Sequence, residues 1–563
     1  MGKHPNLYNT QHSPLGAFST FTLGDFGAKG GFGCGLSKPA DESVFIGYKT
    51  PDGKAYSLPF FEQGTDDAER YDVEGGAKGG DTIQAISPDE FQRTLGMTSD
   101  TWEAGPLSFR ILTPLKRAPE PGHAPVEAID LAYLPSILAE LTFDNTEGQD
   151  EIQVFFGYCG KDPYSAMRPI QGDKVVGVAQ GSLCGIFAQQ GQMEAKLHHD
   201  PLKALNEQND WNKPWQLGTN GFLVGTVAPG ELKTFDLSIC FYQGGDITTG
   251  RVCRFAYTQY FLDLEDVADV TFDRWFELRA MAEEDDNIAL ESKDQSWLLA
   301  QAVHSYFAST QLLIDDRGEL VWVVNEGEYR MMNTFDLLAD HLFFELDHNP
   351  WTVRNALDQF ADRYSYHDQV VEHESKKIYP GGVSFTHDMG VCNNFSPIGR
   401  SSYEKAELDD CFSFMTMEQL TNWILCAWMY VHVTEDWGWV RRRHGLLLEC
   451  LDSLLARDHP DPSLRNGVMK LDSSFCALGA EITTYDSLDQ SLGQARNNLY
   501  LAVKTWAAYI ALESIFDTVF PHDRAQDAKE GAGRVAETVA AALREDGTIP
   551  AVLGEGVESR IIP

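Results

Sequence analysis

The chain has 563 residues, too many for a single core, and should divide into two or three domains. Its 43% apolar and 11% aromatic content is that of a folded globular protein and argues against disorder. With 84 acidic against 44 basic residues the formal net charge is −40, which repels phosphate backbones and anionic lipid and argues against nucleic-acid or membrane partners. Neutral substrates such as sugars remain compatible, and the bland reading of the charge is a solubility or salt-adapted surface.

The first 250 residues read as β. Ile137, Ala139, Leu141 and Phe143 alternate, residues 144–149 supply a turn, and Ile152, Val154 and Phe156 alternate again, which predicts a hairpin with one wet face. Phe235, Leu237, Ile239 and Phe241 repeat the pattern, and Gly and Pro punctuate the region, so an antiparallel sandwich is expected. Residues 251–290 turn acidic and longer in period and read as a helical linker. From 291 to 563 helices dominate: Trp297, Leu298, Ala300, Val303, Tyr306 and Phe307 form a stripe. Further helical patterns cover about 334–346, 351–363, 417–433, 440–456, 490–514 and 525–543. Between them lie segments read as loops, notably 379–390 and 458–462, where active-site residues tend to collect.

The ten cysteines lack CxxC spacing, and Cys240, Cys426 and Cys450 fall in apolar runs, the pattern of reduced thiols. The N-terminus shows no apolar signal region, and the longest apolar stretch noted, Trp423 to Val433, is short for a membrane span. The expected location is the cytoplasm.

Two segments carry most of the chemistry: Val323-Val-Asn-Glu-Gly-Glu-Tyr-Arg-Met-Met-Asn-Thr-Phe-Asp336 and Ala480-Glu-Ile-Thr-Thr-Tyr-Asp-Ser-Leu-Asp489. Each sets carboxylates among aromatic and small polar residues beside a helical pattern. A carboxylate there is costly to desolvate unless it is paired or reacts, and two of them, far apart in sequence, are what a glycoside hydrolase needs. Glu326 ends an alternating run and is well placed to attack an anomeric carbon, with Glu328 on the same face; an ion pair to Arg330 or a helix cap near Thr334 is the structural alternative. Asp486 and Asp489 each suit the N-cap of a helix starting near 487–489, while Thr484 and Tyr485 suit a sugar. His387-Asp388 is a polar pair in a Gly-bounded segment that can exchange hydrogen bonds with sugar hydroxyls. No second His or Cys stands at metal-ligand spacing, so no metal is expected. Gly27 to Gly35 lacks the GK[ST] of a phosphate loop, and no Gly-x-Ser-x-Gly elbow occurs.

On these residues the chain resembles glycoside hydrolase family 52, the β-xylosidases. The likeness runs through His12-Ser-Pro, Trp322 to Asp336, Tyr379-Pro-Gly-Gly to His387-Asp-Met-Gly, Arg465-Asn-Gly-Val-Met, and Glu481 to Asp489 with Gln494-Ala-Arg-Asn-Asn-Leu-Tyr. The resemblance implies an N-terminal β-sandwich, a C-terminal (α/α)6 barrel, and removal of xylose from non-reducing ends of short xylo-oligosaccharides with retention of configuration. It implies Glu326 rather than Glu328 as nucleophile and Asp486 rather than Asp489 as acid/base. A looser likeness to a related β-glucosidase family adds His387, Asp388, Asp336 and Thr484 as sugar-binding candidates. No cofactor is implied, and family analogy favours a homodimer.

Family members run longer, so the barrel is expected to be incomplete and the chain weakly active or inactive. The rival readings are an inverting sugar phosphorylase, which needs one catalytic carboxylate and a phosphate site, and a non-catalytic sugar-binding protein. Glucose or arabinose in place of xylose stays open; one hydroxymethyl group is all that separates glucose from xylose.

Overall fold

A computed structural model describes residues 4–35, 40–62, 82–162, 165–206, 218–286, 293–327, 330–407, 413–476, 481–484, 493–520 and 524–559. The chain forms two compact units, residues 1–247 with 254–314, and residues 248–253 with 315–563.

The first unit is β-rich. A three-stranded sheet is formed by β1 (Thr10–His12), β2 (Ser19–Leu23) and β3 (Gly31–Cys34). A six-stranded sheet runs β15 (Glu194–His198), β16 (Asn220–Val227), β11 (Ile152–Cys159), β4 (Val44–Lys49), β5 (Ala55–Ser57), β6 (Gln84–Ala85). An eight-stranded sheet runs β12 (Met167–Gln171), β13 (Val175–Gln180), β14 (Cys184–Gln189), β17 (Leu232–Phe241), β10 (Ser136–Asp144), β9 (Leu107–Leu112), β8 (Ser99–Ala104), β7 (Gln92–Leu95). The alternation that marks the strands also builds the core. Ile137 faces Ile239, Ala139 faces Leu237 and Leu141 faces Phe235 across the β10–β17 ladder. These side chains meet Val154, Phe156 and Leu223 of the six-stranded sheet in one apolar cluster. Each such buried large side chain contributes about 1.5–3 kcal/mol.

The expected hairpin is a correction. β10 pairs with β9 and β17, whereas β11 pairs with β4 and β16, so the two alternating runs lie in different sheets. The connecting turn crosses between them, held by Asn145, whose side-chain amide donates to the carbonyls of Asp150, Val227 and Ala228. Nor is the second face of β10 wet: α3 (Leu264–Asp273) and α4 (Trp275–Asp286) pack on it, following the small helices α1 (Val126–Tyr133) and α2 (Pro201–Asn206) in the chain.

That packing also moves the domain boundary. The segment read as a linker from 251 to 290 is helical, yet residues 254–314 belong to the β-rich unit. The helix α5 (Lys293–Ser309) goes with them because it lies against β1. The chain passes between units within β18 (Cys253–Phe255) and β19 (Thr310–Asp315).

The second unit is largely helical. It opens with β20 (Leu320–Glu326), which pairs antiparallel with β21 (Met331–Met332) and, through it, with β24 (Gly390–Val391) and β25 (Asn394–Phe395). Then come α6 (Phe335–His348) and α7 (Pro350–Arg363), separated where Pro350 opens a new first turn. Further on lie α8 (Ser402–Lys405), α9 (Thr416–Thr434), α10 (Trp437–Arg442), α11 (His444–Asp458), α12 (Leu499–Val519) and α13 (Ala525–Ala541). The helix α9 packs against α6, α7, α11 and α12, and α12 against α13.

Three sequence expectations change here. The stretch from 379 is not loop at its start: β23 (Ile378–Phe385) pairs with β22 (Ser365–Val371), which also pairs with β26 (Asp472–Ser473). Its Gly pair serves a bulge, with the register shifting between Asp368 and Gln369 and Gly382 at φ +77° against Ser453. The helix expected from 490 begins at Leu499, where Asn498 caps it by accepting from the Leu501 amide. Among the described residues the longest apolar helix is α12 rather than Trp423 to Val433. It meets the length and composition of a membrane span, but 56% of that window is buried inside the protein, as in a core helix.

Candidate active site

All the candidates that can be placed lie in the second unit. Glu326 is the last residue of β20, opposite Met331. The strand edge behind it is pinned by Asn333, which accepts from the Val324 amide at 2.7 Å and donates to the Trp322 carbonyl at 2.9 Å. Asn333 does this from the left-handed region at φ 48°, one of the few side chains that tolerates it. The Thr334 hydroxyl then donates to Glu326 Oε2 at 2.7 Å and fixes the direction of the carboxylate. Among the described residues Glu326 shows neither structural alternative: its carboxylate accepts from the Thr334 side chain, and the Arg330 amide meets its backbone carbonyl at 2.7 Å.

Two residues on, Asp336 stands in the first turn of α6. Its Oδ1 accepts from Gln419 and Asn422 of α9 at 3.1 and 2.9 Å, and its Oδ2 accepts from the Thr484 hydroxyl at 2.9 Å. His387 Nε2 lies 3.9 Å from the same Oδ2. Asp388 is fully buried and holds four donors: the amides of Gly390 and Ser402, the Ser402 hydroxyl, and His387 Nδ1 at 3.1 Å. Asp388 therefore orients the imidazole, and Nε2 is the nitrogen turned toward Asp336. Burial by itself lowers the His387 pKa; the hydrogen bond and charge of Asp388, with Asp336 and Glu326 beyond, outweigh it, so the pKa rises above its ordinary value. The cluster thus sets an imidazole biased toward the cation among three carboxylates.

Glu326, Asp336, His387, Asp388 and Thr484 are brought together. Glu328, Tyr485, Asp486 and Asp489 lie outside the described residues. Among the described residues no group of three or more His, Cys, Asp or Glu is arranged as a metal site.

Sequence reasoning missed the second rank of this site. Glu418, Gln419 and Asn422 are buried on α9, in the turns before the apolar stretch Trp423 to Val433, and Tyr500 and Lys504 reach them from α12. The signal was present: three amide or carboxylate side chains in the first two turns of a helix that is otherwise core. Burial, with the Asp336 charge added, lifts the Glu418 pKa above its ordinary value, against Lys504, the Thr484 amide and Tyr500.

A second buried polar group fastens the scaffold. Glu481 accepts from the Met417 amide at 2.7 Å and the Ser473 amide at 3.0 Å, with Thr416 Oγ1 2.9 and 3.0 Å from its two oxygens. Burial pushes its pKa up to about 8, against the nearby Arg457. Between the ordinary 4.5 and that value the folded chain keeps a proton the unfolded chain has released. Its contribution is therefore whole below the lower value and is lost as pH rises through the upper one, at most about 1.4 kcal/mol per pH unit. Unfolding at pH 5 and pH 8 should show a smaller alkaline loss in Glu481→Gln than in the parent; parallel pH dependences would refute the assignment.

A strand-end carboxylate, a histidine held by a buried aspartate, and a threonine hydroxyl on a helical scaffold suit the chemistry of a glycoside hydrolase, and the comparisons with known proteins place the chain in that class. The chain belongs to Glycosyl hydrolase family 52, whose model matches residues 21–430. Two proteins called beta-xylosidase from Geobacillus stearothermophilus are similar to it. One is 45% identical over 572 residues, spanning 99% of this chain and 80% of that protein. The other is 39% identical over 528 residues, spanning 91% and 85%. Among solved structures, a bacterial glucoamylase complexed with acarbose aligns at TM-score 0.45 and 10% identity, over 98% of this chain and 72% of that one. A putative kojibiose phosphorylase from human microbiome aligns at TM-score 0.33 and 11% identity, over 79% and 56%.

Proposed function

We propose that the chain is a retaining β-xylosidase that removes xylose from the non-reducing ends of short xylo-oligosaccharides such as xylobiose. What carries the reading is Glu326, held at the end of β20 beside the Asp336, His387 and Thr484 cluster, in a chain 45% identical to a beta-xylosidase. Asp486 donates its proton to the leaving oxygen as a Glu326 oxygen bonds to the anomeric carbon and the glycosidic bond breaks. Water then attacks that carbon, gives its proton to Asp486, and releases Glu326 with net retention. This requires the two carboxyls about 5–6 Å apart. His387, oriented by Asp388, and the Asp336–Thr484 pair hold the glycone hydroxyls. The two large sheets are read as a sandwich and the paired helices as belonging to an (α/α)6 barrel, and the enzyme is read as a cytoplasmic homodimer.

A panel of 4-nitrophenyl glycosides with and without phosphate tests the reading. The β-xyloside should be cleaved fastest and without phosphate. Preferred turnover of the β-glucoside or arabinoside, or a phosphate requirement, would overturn it.

A further inference from the structure

Thr484 is fastened at both its polar handles. Its hydroxyl donates to Asp336 of α6, and its backbone N–H donates to Glu418 Oε2 of α9 at 3.1 Å. The other Glu418 oxygen accepts from the Tyr500 hydroxyl at 2.8 Å and faces Lys504 Nζ at 3.4 Å, both from α12. Glu418 is buried at 1% exposure, so its carboxylate has been taken out of water and set against these donors. Three residues before Thr484, Glu481 inserts its carboxyl group at the N-terminus of α9, on the amide of Met417. The first turn of α9 and the short segment 481–484 thus exchange carboxylates: Glu481 caps the helix, and Glu418 of the helix takes the amide at the far end of the segment.

We propose that Glu418, braced by Tyr500 and Lys504, is a positioning residue that fixes the chain at Thr484, two residues before Asp486, and so aims proton donation to the leaving group. The inference rests on the reading of Asp486 as acid/base. Glu418 does not touch the reacting atoms. It acts through a backbone amide, which is why no pattern of side chains around the cleavage site includes it. Losing this anchor frees the backbone at Thr484, and acid catalysis is sensitive to small misplacements of the donor.

A merely structural carboxylate would lower the turnover of every substrate alike. A positioning role for the acid would not, because a 2,4-dinitrophenolate leaves without a proton while a phenolate or a sugar needs one. The experiment compares kcat/KM, which runs through glycosidic bond cleavage and leaves out the later hydrolysis of the intermediate, on 2,4-dinitrophenyl and phenyl β-xylosides for the parent, Glu418→Gln and Tyr500→Phe. Glu418→Gln is near-isosteric and should lose on the order of tenfold or more on the phenyl substrate and several times less on the dinitrophenyl one. Tyr500→Phe, which keeps the Thr484 amide paired, should shift the same ratio more weakly. Equal losses on both substrates, or an unchanged phenyl rate, would overturn the proposal while the parent's xylosidase activity stands. A parent chain that cleaves no aryl xyloside would instead overturn the functional reading, and this inference with it.

Discussion

Replacing Glu326 by Ala should lower kcat/KM on aryl β-xylosides on the order of 10⁴-fold or more, because the covalent half of the reaction loses its nucleophile. The variant should still bind xylose, since Asp336, His387 and Thr484 are held by partners other than Glu326: Gln419 and Asn422 for Asp336, Asp388 for the imidazole. Added azide should restore turnover of the 2,4-dinitrophenyl substrate by entering the vacated face, and the product should be the α-xylosyl azide. Asp486→Ala should behave oppositely, losing most on poor leaving groups and yielding β-xylosyl azide under rescue. A Glu326→Ala variant within about tenfold of the parent would remove Glu326 from the role.

The largest expected effect on stability lies at Arg457. Its guanidinium and the carboxylate of Asp368 are both fully withdrawn from solvent and meet at 3.1 Å. The same guanidinium donates to the Gly381 carbonyl on β23 and to Thr416 Oγ1 at the start of α9. Asp368 in turn accepts from the Ser473 hydroxyl at 2.9 Å. One cation therefore joins α11, β22, β23, β26 and the N-terminus of α9, the elements that carry the candidate site. Arg457→Ala leaves a buried carboxylate and a buried carbonyl without this donor, which costs about 3–5 kcal/mol. For a unit of this size that is on the order of 10 °C in Tm. Arg457→Lys should recover only part of it, because an ammonium cannot reach three acceptors with the guanidinium's planar fork. The double variant Arg457→Met with Asp368→Asn should be less damaging than Arg457→Ala alone, since it leaves no unpaired charge. Differential scanning calorimetry of the four chains checks the order; an Arg457→Ala midpoint within about 2 °C of the parent would contradict it.

What could be read in the sequence follows the range of the forces involved. Alternation in β10 and β17 marked strands correctly because it records burial on one face, a local matter. It could not say that β10 and β11 part company into separate sheets, since Asn145 settles that with carbonyls of Val227 and Ala228, more than eighty residues away. The boundary after residue 314 was hidden for a similar reason: α3, α4 and α5 look like the helices that follow, and only their packing on β10 and β1 assigns them. The site divided along the same line. Glu326, His387, Asp388 and Thr484 stand in unusual local strings of polar and small residues and could be singled out, whereas Asp336 entered only through the looser family resemblance. Pattern alone left Glu326 level with Glu328, and Asp486 level with Asp489; the family resemblance, not periodicity, separated them. Glu418, Arg457 and Glu481 were given no role because each is a single charged residue whose meaning lies in partners such as Thr484, Asp368 and Met417, sixty or more residues distant.

The central claim is a double displacement through Glu326, and the most direct measurement traps its intermediate. The chain is incubated with a 2-deoxy-2-fluoro-β-xyloside bearing a dinitrophenyl leaving group, which slows the second step more than the first. Mass spectrometry of the intact chain should show one added fluoroxylosyl group, and fragmentation of the labelled peptide should place it on Glu326. A label on another carboxylate, or steady turnover with no adduct, would contradict the account.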